Sequence, residues 1–314
     1  MGRYIIRRLL QSIPVLLGAT LLIFAIVFAL PGDPIAALAG EKQSNPNLVA
    51  ILRERYHLND PLLLQYWHYI SGVLFRADLG INFSEVPVSQ LLAGKFQVTL
   101  NLAITALTIE ALVGVGLGLW AALRRGQAID TMILASTLLL ISVPTLVSGF
   151  ILQYMLGVKI KQWTGLDIFP IAGISNGLRS YLLPGFVLAG VSIAYLTRLT
   201  RTSLAETLRS DFIRTATAKG LSRRRVVGRH ALRNALIPLV TFLGADLGNL
   251  MGGAVITERI FNLPGIGLQL FDSVYLREQP VVVGIVTILV LIYIVANLVV
   301  DMLYAVLDPR IRYE

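Results

Sequence analysis

Residues 281–307 read VVVGIVTILVLIYIVANLVVDMLYAVL, a run whose one charged residue is Asp301. About 20 consecutive apolar residues carry a helix through the hydrocarbon core of a bilayer. In lipid every backbone N–H and C=O must be satisfied within the segment, so a run of this kind crosses as a helix. That sets the fold class: an all-α integral membrane protein. Five further runs meet the same criterion, at 9–30, 98–123, 131–158, 181–199 and 238–256. The third is longer than a bilayer requires and implies tilt or a kink at Pro144. Residues 281–307 then form the last of six spans.

The composition agrees. Of 314 residues, 55% are hydrophobic and 14% charged, against roughly 45 to 50% apolar in soluble domains. The formal charge of +9 would suit nucleic acid in a soluble protein, but the spans assign it to membrane topology and exclude a nucleic-acid partner. Lys and Arg accumulate on the cytoplasmic side of span ends. With both termini inside, the cytoplasmic set comprises Arg3, Arg7, Arg8, Arg124, Arg125, ten Lys and Arg residues from Arg198 to Arg233, and Arg310 and Arg312. The basic residues of the outer loops are interleaved with Asp and Glu. There is no cysteine, which excludes disulfides, thiolate metal sites and cysteine nucleophiles.

The chain divides into a first span (1–30), an extracytoplasmic segment (31–97) and a core carrying spans two to six (98–314), with a basic loop at about 206–233. The N-terminal apolar run is too long for a cleaved signal peptide and lacks a clear A-x-A site, which makes it an uncleaved span. The outer segment has two helical patterns. One follows Asn45-Pro46 and aligns Leu48, Ile51, Leu52 and Tyr56. The other opens at Asp60-Pro61, an N-cap with proline at the first helical position, and aligns Leu63, Tyr66, Trp67, Ile70 and Leu74. Such an aromatic surface rests on lipid headgroups or on a partner, and both readings stay open.

Small residues recur every four positions at Gly114 and Gly118 and at Gly244, Gly248 and Gly252, the spacing that lets membrane helices approach closely. Polar residues within spans are candidates for a translocation pathway. Asn101, Thr105, Thr108 and Glu110 fall in span two, and Asp246 and Asn249 in span five. Asp246 is the best cavity candidate. Asn101, Thr105 and Thr108 either line a water-filled path or hydrogen-bond across helices. Asp301, near the cytoplasmic end of span six, fits snorkelling or an interfacial pairing. No P-loop and no H-E-x-x-H is present, so neither nucleotide hydrolysis nor zinc hydrolysis is assigned to this chain, and no catalytic residue or metal ligand is identified.

The basic loop has helix punctuation of its own. Ser210 can cap a helix from Asp211 to Lys219 and Gly220 can end it; Ser222 can cap a second helix running through Arg225, Arg229 and Arg233 toward Pro238. The first is short and lined by Thr215, Ala216, Thr217 and Ala218, a shape suited to a groove on another protein. Arginines alone would be explained by topology and anionic lipid. A capped helix of small residues is not.

The run DFIRTATAKGLSRRRVVGRHALRNALIP, residues 211–238, resembles the loop motif of permease subunits of bacterial ABC importers, in the dipeptide, oligopeptide and nickel group. Arg214, Thr215 and Ala216 fall where the general motif has Glu-Ala-Ala, and Gly220 matches its glycine. The acidic position is basic here, and the later Ile-x-Leu-Pro gives way to His230, Leu232 and Arg233, as in the peptide group's own form. YIIRRLLQSIPVLLGATLLIF (4–24), LPGDP (30–34), LNDPLLLQYWHYISG (58–72), DLG (78–80), GGAVITERIFNLPGIG (252–267) and VDMLYAVLDPRIR (300–312) extend the resemblance in order over nearly the whole chain.

The resemblance implies a multi-pass bacterial cell-membrane protein that imports di- or oligopeptides, with nickel or glutathione as alternative cargo. Its implied partners are a second related permease, two ATP-binding subunits or domains, an extracytoplasmic substrate-binding protein and membrane lipid. ATP and Mg would reside on the ATPase, with no cofactor on this chain. Asp211, Phe212, Arg214, Thr215, Ala216, Ala218, Lys219 and Gly220 would form the coupling element that docks into a cleft of the ATPase. An ion-coupled secondary transporter with Glu110 and Asp246 as proton or sodium sites is the reading from another class. It requires inverted repeats, which the sequence does not display.

Overall fold

The computed structural model of the chain describes residues 2–29, 54, 59–82 and 86–307. In chain order the helices are α1 (Gly2–Ala29), α2 (Leu62–Arg76), α3 (Val88–Leu123), α4 (Ala128–Ser142), α5 (Thr145–Leu152) and α6 (Ile160–Thr164). They continue with α7 (Arg179–Thr207), α8 (Asp211–Ala218), α9 (Arg223–Arg225), α10 (Leu232–Ile260), α11 (Ile266–Tyr275) and α12 (Gln279–Leu307). Single π turns occupy Gln153–Lys159 and Val226–Ala231. Leu48, Ile51, Leu52 and Tyr56 of the first outer helical pattern, the turn at 31–34, the tail from 308 and the side chain of Asp301 lie outside the described residues.

Among these residues five helices are long and apolar enough to cross a bilayer, and the bent pair from Ala128 to Thr164 makes a sixth crossing if counted as one. The kink expected at Pro144 is a full break of 104°. Val143 is forced into extended backbone (φ −93°, ψ 122°) by the proline that follows it, which ends α4. Span five does not begin at Pro238. Helical backbone is continuous from Arg223 to Ile260, and Pro238 removes one backbone hydrogen bond without ending the helix. Helix α3 starts ten residues before the apolar span, because Val88 and Leu92 extend its buried stripe against Ile266, Val281 and Ile285. Helix α7 runs on to Thr207 for the same reason, with Leu204 and Ala205 buried.

The described residues form two compact units, those within 1–99 and 264–298 and those within 100–263 and 299–307. In the first, α2 is held by its tyrosines. The Tyr66 hydroxyl lies 2.9 Å from Thr20 Oγ1 and donates to Leu17 O at 3.0 Å, and Tyr69 meets Thr287 at 2.7 Å. Phe24 packs edge-on to Tyr66 and stacks on Phe28. Burial away from water pushes the Tyr69 phenol up to about 12. The five residues expected along one side of α2 are therefore divided. Tyr66 and Ile70 turn inward, whereas Leu63, Trp67 and Leu74 are 70%, 60% and 52% exposed. The helix begins one residue later than expected, with Pro61 as N-cap and its carbonyl accepting from Leu64 and Gln65.

In the second unit, glycines set the closest helix approaches. A Cβ at Gly118 would overlap Thr200 and lie 2.6 Å from Thr197 O, and one at Gly114 would lie 3.0 Å from Leu196 Cβ, so α3 and α7 meet at both positions. A Cβ at Gly185 would stand 3.0 Å from Thr105, and one at Gly244 would stand 2.6 Å from Val300. Gly248 is buried. Gly252 departs from the packing expectation: a Cβ there meets nothing within 4 Å, because that face of α10 is exposed.

Candidate functional site

The loop between α7 and α10 is built from its terminators inward. Helix α8 ends in a Schellman motif: Leu221 N–H donates to Ala216 O at 3.4 Å and Gly220 N–H to Thr217 O at 3.0 Å. Gly220 stands at φ +75°, where a Cβ is strained. Leu221, just beyond, packs against the cluster that holds Ala216, as the motif's hydrophobic contact requires. At the other end Ser210 has the extended backbone of an N-cap, but its hydroxyl does not cap; it donates back to Thr207 O at 2.6 Å. Lys219 is the C-cap residue rather than the last helical one. Gly220→Ala is expected to destabilise this corner by roughly 1 to 2 kcal/mol, and Gly220→Asn by less. Protease nicking between Lys219 and Arg225 in the purified chain reads the difference.

Sequence spacing then decides which residues are available to a partner. Ile213 and Ala216, three apart, are 6% and 7% exposed and join Ala122, Leu204, Val226, Ala231 and Ala235 in one apolar cluster. They seat α8 on the ends of α3, α7 and α10. The opposite face presents Asp211, Phe212, Arg214, Thr215 and Ala218, with Phe212 46% exposed. Arg214 approaches Asp211 at 3.4 Å, but both side chains are largely in water, so the pair adds little stability. Of the eight residues expected to couple to an ATPase, Ala216 is thus the one turned inward, and Gly220 acts through backbone geometry. Arg223, Arg224, Arg225, Arg229 and Arg233 are exposed around this helix.

The pathway candidates on α10, Asp246 and Asn249, come together with Glu110 of α3, while those nearer the start of α3 make other contacts. Thr105 donates to Asn101 O at 2.7 Å and lies against Gly185, which makes it an interhelical packing residue; Thr108 turns to Ile104 O at 2.8 Å. Asp246, 6% exposed, adjoins the fully buried Glu110 of α3 and accepts from Asn249 Nδ2 at 3.2 Å. Among the described residues no donor reaches either Glu110 oxygen. Asn249 is exposed beside Gly252 and Gly253. Among the described residues no cluster of His, Asp and Glu could hold a metal. A G-x-S-x-G spacing occurs at 173–177, in a loop rather than on a strand-to-helix turn, and its Ser175 hydroxyl faces the Asn176 amide oxygen at 3.0 Å.

Sequence reading passed over one polar site entirely. Asp130, in the first turn of α4, is 3% exposed and receives a two-pronged bond from Arg201 of α7, Nε to Oδ1 at 2.6 Å and Nη2 to Oδ2 at 2.8 Å. Gly126 N–H donates to the same Oδ2 at 2.9 Å. The two residues are 71 positions apart, and Arg201 had an adequate local explanation as a topology determinant.

With this geometry in place, comparison with known proteins assigns the chain. Residues 114–313 match the family described as Binding-protein-dependent transport system inner membrane component, and residues 1–103 match its N-terminal membrane component. The Dipeptide transport system permease protein DppB of Escherichia coli (strain K12) is 38% identical over 339 aligned positions, covering all of both chains. The Glutathione transport system permease protein GsiC of Salmonella typhimurium is 38% identical over 315, again covering both in full. The crystal structure of an amino acid ABC transporter with histidines superposes with a TM-score of 0.48 at 20% identity, over 71% of this chain and 94% of that one. This chain belongs to the binding-protein-dependent transport system inner membrane components, as a multi-pass membrane permease.

Proposed function

We propose that this chain forms half of the translocation pathway of an ATP-driven importer of di- or oligopeptides and takes its power stroke through α8. The observation that carries the reading is the two-faced build of that helix. Ile213 and Ala216 anchor it to three spans, while Phe212, Arg214 and Thr215 face outward on a rigid corner. A helix presenting one aromatic anchor among small side chains fits a groove, and the anchored face passes any displacement into the bundle. A second permease would complete the pathway, an ATPase carrying ATP and Mg would receive α8, and an extracytoplasmic binding protein would deliver the solute. The chain itself would perform no chemistry.

Binding of ATP would draw the ATPase halves together, α8 would move with them, and the pathway would open toward the binding protein; hydrolysis would reverse the motion. A peptide cargo is favoured because the full-length relatives carry a dipeptide and the tripeptide glutathione, and because no metal-ligating cluster occurs in the described spans. Calorimetry on the binding protein that assembles with this chain tests the cargo. Binding of a dipeptide with no response to a nickel chelate is expected. Retention of nickel alone would replace the peptide assignment.

A further inference from the structure

Four nearby residues near the end of α7 each engage a different helix of the second unit. Thr200 closes against Gly118 of α3. Arg201 forks onto Asp130 of α4. Ser203 Oγ donates to Ala235 O of α10 at 2.9 Å. Leu204, fully buried, shares the apolar cluster of Ile213 and Ala216 of α8. At about 100° per residue these positions fan across roughly half of the helix circumference, which is how one turn reaches four neighbours. Arg198, one turn earlier and on the face of Arg201, donates to Thr137 Oγ1 at 3.4 Å. Thr137 and Asp130 are seven apart and share a face of α4, so α7 holds α4 at two points along its length.

Helix α4 has a particular need for that grip. The 104° break at Ser142–Pro144 cuts it off from the rigid body of α5, so a displacement of α8 reaches α4 from the other side, at its start through the short loop from α3 and along its length through the bonds from α7. The Arg201 guanidinium is suited to the task, because its planar fork fixes orientation as well as distance, and a lysine point charge would fix distance only. All three bonds to the Asp130 carboxylate, including the one from Gly126, keep the pair in a single geometry.

We propose that Arg201 and Asp130 are positioning residues for transport coupling: the pair makes the first half of span three follow the helix that docks the ATPase. The inference rests on the function proposed above. In its absence α8 and α7 would still move with the ATPase, but α4 would lag, and ATP would be hydrolysed without matching uptake.

The test uses the complete complex in liposomes, with ATPase, second permease and binding protein, and measures peptide taken up per ATP hydrolysed together with thermal stability. The double variant Asp130→Asn/Arg201→Gln removes both charges together, so that neither is left buried and unpaired, and removes the fork, because glutamine is too short to reach residue 130 with two bonds. Its uptake per ATP is expected to fall about fivefold or more, the low end of typical coupling strengths, at near wild-type melting temperature. Arg201→Lys, which keeps the charge and loses the fork, serves where the double variant is poorly folded, and the same direction is expected. A folded variant of either kind with the wild-type ratio overturns the proposal. A loss of uptake that merely tracks loss of folded complex also overturns it, since it makes the pair structural. Wild-type uptake indifferent to ATP overturns the underlying reading, whereas normal wild-type coupling with equal coupling in the variants overturns this inference alone.

Discussion

Replacing Gly118 by alanine lowers the stability of the chain by about 1 to 3 kcal/mol, the usual cost of forcing an extra group into a filled contact, whereas alanine at Gly116 is silent. The two sites share a helix and lie two residues apart. At Gly118 the added Cβ overlaps Thr200 and comes within 2.6 Å of Thr197 O; at Gly116 it meets nothing within 4 Å. One of the two obstacles is backbone, so no side-chain rotation relieves it, and α3 and α7 must separate. Separation also opens the contacts that α7 makes to α4 and α8. Gly118→Leu is expected to abolish accumulation of folded protein. Melting of detergent-purified variants against wild type measures the difference, and equal melting for the Gly116 and Gly118 alanine variants would refute the assigned packing.

These glycines illustrate what could be read from sequence. A four-residue spacing within an apolar run indicates close packing, and it holds at Gly114, Gly118 and Gly244, but the spacing does not say which face meets a neighbour. Gly252 follows the same spacing and looks onto open space. Spans were legible because hydrophobic length is a local property, and the break at Pro144 because proline restricts its own neighbour. Their polar ends were underestimated. Helices α3 and α7 extend past their apolar runs through residues such as Val88 and Leu204, whose burial depends on distant partners.

The corner after α8 was legible for the same local reason: the residues that punctuate the helix all lie between Ser210 and Ser222. Burial within it was less so. The family-like position Ala216 looks, by sequence, as available as Thr215, yet it points into the cluster with Leu204 and Val226. The Asp130–Arg201 pair left no local trace at all. Each residue has an ordinary reading where it stands, one as an acidic residue in a first helical turn and the other as one of many cytoplasmic arginines. Only tertiary structure joins them.

The inward turn of Ala216 also determines how docking must be probed. Ala216→Arg would place a charge in an apolar cluster and dislodge α8, losing the loop whether or not an ATPase binds it. Phe212→Asp changes an exposed side chain and spares the cluster. Loss of an aromatic anchor at an interface costs about 2 kcal/mol or more, a weakening of roughly 30-fold. ATPase association and uptake should both fall accordingly while the melting temperature of the chain is retained. Thr217→Ser, which keeps the hydroxyl that bonds to Ile213 O, is expected to behave as wild type.

The measurement that bears most directly on the central claim is peptide uptake into liposomes holding the assembled complex, with binding protein outside and ATP supplied to the ATPase side. Wild type should accumulate peptide only while ATP is hydrolysed, Phe212→Asp should accumulate almost none, and an imposed ion gradient without ATPase subunits should drive nothing. Uptake that follows the ion gradient without ATPase, or that is undiminished in folded Phe212→Asp, would contradict an importer driven through α8.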